Sequence, residues 1–230
     1  MTLTPMSLET TTWLRAVRVA TVAGTVLFLA GQAALPVLPD TIEAAFPGMI
    51  AERDQLMASR LLTSAGCFLL VVTGIGFGTL LARRAGSSRT VLAGAVLVTV
   101  GAFFNAVAQA VQGYATYAAT GPGVAADSGR EIVETVTAGA VGFPLSFVSV
   151  PVFALGCLVV VVAVGLFLSR SVPLWLPALL VVGTVMAGAL AGRGPIVALT
   201  QAPVTVAFIA LAMVMTRPGE HAERNAWPRQ

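Results

Sequence analysis

The sequence predicts an all-α fold: a polytopic membrane helical bundle of about six transmembrane helices. Both termini are expected to be cytoplasmic, and a short outer interfacial helix is expected before the fourth span. Of the 230 residues, 57% are hydrophobic and only 10% are charged, whereas a soluble domain carries roughly 25% charged residues. So few charges cannot cover a water-facing surface, and the apolar residues fall into several long runs. The lipid bilayer is therefore the first expected partner.

Prolines and polar turns separate the apolar runs and set the boundaries of the predicted spans. Each run is close to the length that one transmembrane helix needs, about 20 residues. The predicted spans cover residues 17–38, 56–82, 91–111, 145–168, 174–190 and 196–215 of a single integral-membrane domain, followed by a polar cytoplasmic tail at 216–230. Between the first two spans, Asp40 and Glu43 have the spacing of a capping box, which predicts a short surface helix.

The apolar stretch that leads into the fourth span is too long for one upright helix of about 20 residues. Ser128 and Glu131 have capping-box spacing, so a helix is expected to begin there. Pro144 is expected to divide the stretch into an interfacial helix at about 131–142 and the span itself. One kinked span over 131–168 is the alternative, and two full spans would spoil the charge pattern.

The distribution of charge predicts the orientation of the bundle. With six spans and cytoplasmic termini, nine of the thirteen arginines lie on the inner side, while seven of the ten acidic residues lie on the outer side. This asymmetry follows the positive-inside rule, and a flipped topology would place the basic turns outside. We therefore expect a multi-pass protein of the bacterial plasma membrane.

The inventory of reactive side chains excludes several kinds of chemistry. All thirteen basic residues are arginine, and the only histidine is His221 in the tail. Without lysine there is no Schiff-base chemistry, and one histidine cannot build a His-based metal centre or a bis-His haem site. Cys67 and Cys157 lie in apolar spans without metal-binding spacing and are expected to be packed free thiols. No metal, no cofactor and no nucleic-acid partner is expected.

Polar side chains within the predicted spans concentrate in the outer halves of the helices. They are Gln32, Arg60, Asn105, Gln109, Arg193 and Gln201. Polar groups in lipid are costly unless they pair or face water. They are either helix-end residues that hydrogen-bond to one another near the headgroups, or the lining of an outward-facing cavity with Glu131 and Glu134 at its rim. Both interpretations stay open on the sequence.

Glu131 and Glu134 are the candidate catalytic residues. Residues three apart share a helix face, and desolvation together with the neighbouring like charge favours a protonated carboxyl near lipid. A neutral carboxylic acid can protonate an alkene or epoxide, and the ring faces of Phe143 and Phe147 could stabilise a carbocation. The other interpretation is two solvated carboxylates at a helix N-terminus, which the helix dipole favours.

Two resemblances bear on function. In size and residue inventory the chain resembles the small integral-membrane terpene cyclases, which implies a metal-free, acid-initiated cyclisation of an isoprenoid. It also looks like a set of small six-span actinobacterial membrane proteins, which implies a membrane location. The features shared with that set are Leu35-Pro36 at the end of the first span, Arg83-Arg84 after the second, Gln112-Gly-Tyr114 after the third and Trp175 at the entry to the fifth.

Two classes of function follow from these patterns. The first is a protein that binds or acts on an amphiphilic small molecule, such as an isoprenoid, from the outer leaflet. The second is a non-catalytic accessory or self-protection protein that forms homo- or hetero-oligomers through Gly-rich helix faces such as Gly188–Gly192. A closed cavity beneath Glu131 would favour the first class, and an exposed Gly/Ala face would favour the second.

Overall fold

Helices form every regular element that the structure describes. A computed structural model describes residues 8–85, 89–137, 139, 152–154, 156–157, 175–176, 178–180, 182–183 and 195–215, and none of these residues lies in a strand. The helices are α1 (Leu8–Ala33), α2 (Ile42–Ala51), α3 (Arg53–Ala85), α4 (Arg89–Ala119), α5 (Ala126–Thr137) and α6 (Pro195–Met215). Over this part of the chain the predicted all-α class is confirmed.

Three of these helices are long and apolar enough to cross a membrane. Their apolar segments are Thr12–Ala33, Arg53–Thr79 and Leu92–Ala119, with 22, 27 and 28 residues. At a rise of 1.5 Å per residue, the shortest is about 33 Å long, slightly more than the hydrocarbon core of a bilayer. The three segments correspond to the first three predicted spans. The count of six spans and the membrane side of the termini stay predictions.

The first span ends earlier than predicted. The helix α1 stops at Ala33, whereas the apolar run predicted a span that continues to Leu38. The residue before a proline avoids the helical region, and a proline cannot donate to the preceding turn. Pro36 and Pro39 therefore hold residues 34–41 in a non-helical connection, although most of those residues are apolar.

The predicted surface helix after the first span is present as α2, but its cap is one residue later than predicted. Thr41 is the N-cap, with φ −90° and ψ 145°, and the backbone N–H of Ala44 donates to its hydroxyl oxygen at 3.4 Å. The predicted cap, Asp40, lies outside the helix. The helix begins at Ile42 because the Thr41 hydroxyl satisfies a donor of the first turn.

A single non-helical residue joins α2 to α3. Glu52 has φ −108° and ψ 25°, and its backbone N–H donates to Gly48 O at 2.9 Å. The carbonyl of Glu52 then accepts from Leu56 N, also at 2.9 Å, which starts α3. The short helix is therefore attached directly to the end of a long apolar helix.

The helix α4 continues beyond the predicted third span. The prediction ended the span at Val111, where the apolar run ends, but the helix reaches Ala119. The added residues include good helix formers, and the next proline is Pro122. The extension places Tyr117 opposite the start of α3. There Arg53 donates through Nε to Tyr117 O at 3.1 Å, and its guanidinium lies 3.7 Å from the centre of the Tyr117 ring.

A helix, α5, is present where the interfacial helix was predicted, with different ends. It runs from Ala126 to Thr137 instead of 131–142, so Ser128 lies inside the helix and does not cap it. Gly123, with φ +87°, provides the tight turn between α4 and α5. Glycine adopts this left-handed conformation without steric cost.

The second half of the predicted bundle is described in part. The helix α6 matches the sixth predicted span almost residue for residue. The described residues 152–154, 156–157, 175–176, 178–180 and 182–183 are helical, and they fall within the fourth and fifth predicted spans. The rest of those spans, Pro144, the Gly188–Gly192 face, Arg193 and the tail at 216–230 lie outside the described residues.

Among the described helices, α3 lies between α1 and α4 and is antiparallel to both. The crossing of α1 with α3 depends on glycine. A Cβ on Gly66 would lie 2.5 Å from the backbone N of Phe28 and 2.6 Å from the carbonyl O of Gly24. These are backbone atoms, so no rotamer change could make room. Close approach of this kind is how helices gain packing energy in lipid.

Glycine also sets the distance between α3 and α4. A Cβ on Gly78 would lie 2.8 Å from the Cβ of Ala95, and one on Gly74 would collide with Thr99. The small-residue spacing of Gly74 and Gly78 thus serves helix packing, as expected for this motif within an apolar helix.

Among the described residues, the largest cluster of buried apolar side chains lies at one end of the bundle. The N-terminal half of α1 meets the C-terminal halves of α3 and α6 there. The rings of Phe77 and Phe208 stack with centroids 6.0 Å apart and an interplanar angle of 9°. The buried members of this cluster, the apolar core, are Val17, Phe77, Val98, Cys157, Leu176, Leu180, Ala207, Phe208, Leu211 and Ala212.

Hydroxyl groups satisfy one another where α1 and α3 cross. The Thr21 and Thr73 side chains are fully buried, and their hydroxyl oxygens lie 3.1 Å apart within hydrogen-bond distance. Each hydroxyl also lies within hydrogen-bond distance of a carbonyl one turn earlier on its own helix, Val17 O and Leu69 O. Because a hydroxyl has one hydrogen, one of the two threonines donates to the other, which donates to its own helix. Such bonds make buried hydroxyls tolerable where water is absent.

Candidate functional site

A cavity of about 560 Å³ lies at the end of the bundle opposite the apolar core. On α1, Gln32 in the cavity wall is about 22 Å along the helix axis from Val17 in the apolar core. The ends of α1, α3 and α4 form the cavity with α2, α5 and the α1–α2 connection. Its volume lies within the range of roughly 300–1,000 Å³ that is common for small-molecule sites.

The lining of the cavity is apolar over much of its wall and polar at specific positions. The apolar side chains come mainly from the α1–α2 connection and α2. They are Leu35, Pro36, Leu38, Pro39, Ile42, Ala45, Met49, Leu56 and Val133. The remaining lining residues are Gln32, Asp40, Thr41, Arg60, Gln112, Gly113, Thr116 and Thr137. A cavity with both kinds of wall fits a ligand that has an apolar body and a polar head.

Arg60 carries the positive charge of the cavity. It lies on α3, about 10 Å along the axis from the start of that helix, and it is half-buried. Gly113 on α4 leaves the space for its stem, because a Cβ there would lie 2.7 Å from Arg60 Cβ. The helices α3 and α4 therefore pack closely at this point only because position 113 carries no side chain.

Two amides of α4 fix the position of the Arg60 guanidinium. The Nη1 of Arg60 donates to Oε1 of Gln109, and Nε2 of Gln109 donates to Oδ1 of Asn105 at 3.2 Å. Because the amide N–H of Gln109 is turned to Asn105, its oxygen is the atom presented to Arg60. No carboxylate among the described residues lies within 4 Å of the guanidinium.

Two further amides stand in the cavity wall. Gln32, at the end of α1, is 8% exposed, and Gln112, on α4, is 9% exposed. Amides can donate and accept hydrogen bonds. They extend the polar part of the wall away from Arg60 without adding charge.

The structure brings four of the predicted polar residues together and leaves one apart. Gln32 and Arg60 line the cavity, while Gln109 and Asn105 stand behind Arg60 and orient it. Gln201 on α6 is half-buried and is not among the lining residues. Arg193 lies outside the described residues. Both interpretations of the sequence therefore describe part of this end, because some of the polar groups bond to one another and others line a cavity.

The predicted acids are not part of the lining. Glu131 and Glu134 are exposed, and α5 contributes Val133 and Thr137 to the cavity instead. Val133 and Thr137 are four residues apart and share one face of the helix. That face is fixed because Val133 packs in one buried cluster with Phe46 of α2 and Ala119 of α4, whereas the carboxylates are exposed. Their role as proton donors stays a prediction.

A polar stripe on α4 is the signal that could have identified more of the site. The stripe consists of Asn105, Gln109, Gln112 and Thr116, whose spacing of four, three and four residues keeps them on one helix face. The predicted span ended at Val111, so the second half of the stripe lay beyond the predicted helix. The hydroxyls of the cavity from Thr41 and Thr137 carry no comparable pattern, because Thr41 caps α2 and Thr137 ends α5.

No group of three or more His, Cys, Asp or Glu side chains that could hold a metal ion occurs within the described part of the chain.

No protein-family model, no curated protein and no solved structure matches this sequence. The site must therefore be interpreted from its own geometry and chemistry.

Proposed function

We propose that this protein is a multi-pass plasma-membrane protein that binds an amphiphilic small molecule in the cavity lined by Arg60. The observation that supports this function most directly is the composition of the lining. A largely apolar wall and a few well-placed polar groups, one of them charged, are typical of small-molecule sites. An arginine kept within a membrane helix is itself a mark of a functional site.

The cavity is proposed to open toward the outer face of the membrane. Acidic residues surround it on the α1–α2 connection, α2 and α5, while the arginine pairs of the predicted cytoplasmic turns lie at the other end of the same helices. This charge distribution supports the orientation by the positive-inside rule. A ligand could then enter from the outer leaflet, where its apolar part is already dissolved.

Binding is favoured over cyclisation. An acid-initiated cyclase would need a carboxylic acid at the cavity, and the two predicted acids lie on another face of α5. Asp40, which does line the cavity, is exposed at its rim. Bulk water at the rim would also intercept the carbocation of a cyclisation, so this position does not suit that reaction.

Binding of farnesol and dodecanol to the protein in phosphatidylcholine nanodiscs tests this function. The two alcohols compare a branched isoprenoid chain with a linear chain. The variant Leu56→Trp fills the cavity from α3, where Leu56 is 8% exposed, and Leu61→Trp adds the same bulk on the same helix at a position that is 48% exposed.

We expect saturable binding of at least one alcohol, weakened roughly tenfold by Leu56→Trp and unchanged by Leu61→Trp. Absence of saturable binding for both alcohols would overturn the proposed function. Equal affinity in the two tryptophan variants would show that the alcohols bind elsewhere, and it would overturn the assignment of the cavity.

A further inference from the structure

We infer that the ligand carries an anionic headgroup, a phosphate or a carboxylate, and that Arg60 binds it. This inference rests on the proposed function, because it names the chemical class of the molecule that the cavity would hold. It is carried by the guanidinium in the cavity wall, by the amide pair that orients it and by the absence, among the described residues, of a carboxylate within 4 Å of that guanidinium.

The charge of Arg60 within a predicted membrane helix has a free-energy cost. An arginine at the centre of a membrane helix costs about 2.5–3.5 kcal/mol on insertion scales, and it is tolerated where it pairs or faces a water-filled cavity. Arg60 is closer to the helix end, and its described hydrogen-bond partner, Gln109, is neutral. A neutral amide satisfies one donor and leaves the charge uncompensated. An anionic ligand would compensate it.

The Arg60 guanidinium has more N–H donors than the one that binds Gln109. A guanidinium has five N–H groups in a rigid planar fork, and that fork matches the oxygens of a carboxylate or phosphate. Arg60 uses Nη1 for Gln109. Because Gln109 is held in turn by Asn105, the guanidinium is oriented before a ligand arrives. Preorganised charge-assisted hydrogen bonds are about twice as strong as neutral ones.

Other polar residues line the cavity together with Arg60. Gln112 and Thr116 follow on the same face of α4, and Gln32 stands in the wall on α1. The Gln32 amide and the Thr116 hydroxyl suit the further oxygens of an anionic headgroup, which Arg60 alone would not satisfy. The apolar side chains of Leu35, Ile42 and the rest of that wall would then receive the chain.

Asp40 is the charge that opposes this assignment. It lines the same cavity, but it is exposed at the rim, where water and salt screen it, whereas Arg60 is half-buried. Charge interactions weaken with exposure, so the inner part of the cavity is expected to favour an anion. The variant Asp40→Asn should therefore leave the binding of an anion unchanged or strengthen it slightly.

The experiment compares three probes with one chain length and different heads: dodecyl phosphate, dodecanol and dodecyltrimethylammonium. Affinities are measured on the full chain in phosphatidylcholine nanodiscs. We expect dodecyl phosphate to bind about tenfold more tightly than dodecanol. Arg60→Gln should remove this preference while dodecanol still binds, and Arg60→Lys should keep part of it, because lysine keeps the charge and loses the planar fork.

Gln109→Leu is a second variant, which leaves Arg60 in place and removes its orienting partner. It should reduce the preference for dodecyl phosphate without abolishing it. Equal affinity for dodecyl phosphate and dodecanol, a preference that survives Arg60→Gln, or tighter binding of the ammonium probe would each overturn the inference while the proposed function stands. Binding of none of the three probes would overturn the proposed function as well.

The anionic molecule could be a lipid of the leaflet or a free amphiphile. Replacing phosphatidylcholine by phosphatidylglycerol in the nanodiscs separates these sources. If dodecyl phosphate binds in phosphatidylcholine nanodiscs but not in phosphatidylglycerol nanodiscs, the anionic lipid competes for the cavity, and the site is assigned to a bilayer lipid. Retained binding assigns it to a single-chain molecule, and either result supports an anionic headgroup.

Discussion

The two ends of the bundle use the same three helices for different purposes. At the core end, α1, α3 and α4 contribute Val17, Phe77 and Val98, all at most 1% exposed. At the cavity end, the same helices contribute Gln32, Arg60 and the polar stripe of α4. The change of character along each helix indicates that packing is concentrated at one end and recognition at the other.

The physical basis of the two ends also differs. Lipid is as apolar as a leucine side chain, so burial against protein brings no hydrophobic gain there, and the apolar core is stabilised by close packing. At the cavity end, each polar group needs a partner or water. Substitutions at the core end should therefore change stability, whereas substitutions at the cavity end should change binding.

The largest effect on stability is expected at the centre of the apolar core. Phe208→Ala removes a ring that is 2% exposed and stacked on Phe77, and the void should lower the free energy of unfolding by about 3 kcal/mol. Val206→Ala, at an exposed position of the same helix, is the control and should have little effect. Denaturant unfolding in detergent measures both. If the folded Phe208→Ala protein bound dodecanol with a changed affinity, the assignment of stability to the core end and of binding to the cavity end would be contradicted.

The crossing of α1 and α3 should be nearly as sensitive. Gly66→Ala places a Cβ against the backbone of Phe28 and Gly24, which cannot move independently, and should cost about 2–3 kcal/mol. In Gly48→Ala the new Cβ meets only the end of the Leu38 side chain, which can rotate, so the loss should be small. Thermal unfolding of the two variants checks the order, and equal losses would contradict the packing argument.

An intermediate effect, confined to the cavity end, is expected from Gly129→Ala. The added Cβ would lie 2.5 Å from Ala119 O and 2.7 Å from Cζ of Phe46, so α5 could not dock against α2 and α4. The local cost should be about 1–2 kcal/mol. Hydrogen exchange should show faster amide exchange in α5 with unchanged protection of the apolar core. Ser128→Ala, at the exposed neighbouring position, is the control.

The smallest effect is expected where hydroxyls bridge α1 and α3. Thr21→Val removes the hydrogen bond to Thr73 with little change of shape, and such bonds are worth about 0.6 kcal/mol in membrane proteins. Thr99→Val is the matched control, because the Thr99 hydroxyl bonds to Ala95 O of its own helix. A double-mutant cycle of Thr21 and Thr73 measures the coupling. A coupling free energy near zero would show that the hydroxyl pair does not stabilise the crossing of α1 and α3, which would then depend on close packing at its glycines.

The long helices could be predicted from the sequence because lipid imposes a simple rule on length and polarity. The same rule identified Gln32 and Arg60, since polar residues in a span stand out against their neighbours. The predicted ends of α1 and α4 were wrong because they were taken from the ends of the apolar runs. The observed helix ends depend instead on backbone propensity and on proline. Ala33 precedes the end of its apolar run, and Ala119 follows the end of its run.

The orientation of α5 could not be predicted from the sequence. Its carboxylates and its apolar residues both follow a helical period, so the sequence marks two faces without saying what each one meets. The packing of Val133 with Phe46 and Ala119, residues of two other helices, decides which face turns inward. Contacts between distant segments of this kind leave no local pattern, and for that reason Glu131 and Glu134 were placed at the cavity rim.

The single-residue junction between α2 and α3 has a mechanical consequence. With helix on both sides of Glu52, only its two backbone dihedral angles can change the angle between α2 and α3 without unwinding either helix. The helix α2 forms one side of the cavity mouth, while α3 carries Arg60 in its wall. Rotation about the Glu52 backbone would therefore widen or narrow the cavity mouth, and the packing of Phe46 against Gly129 of α5 opposes such a rotation.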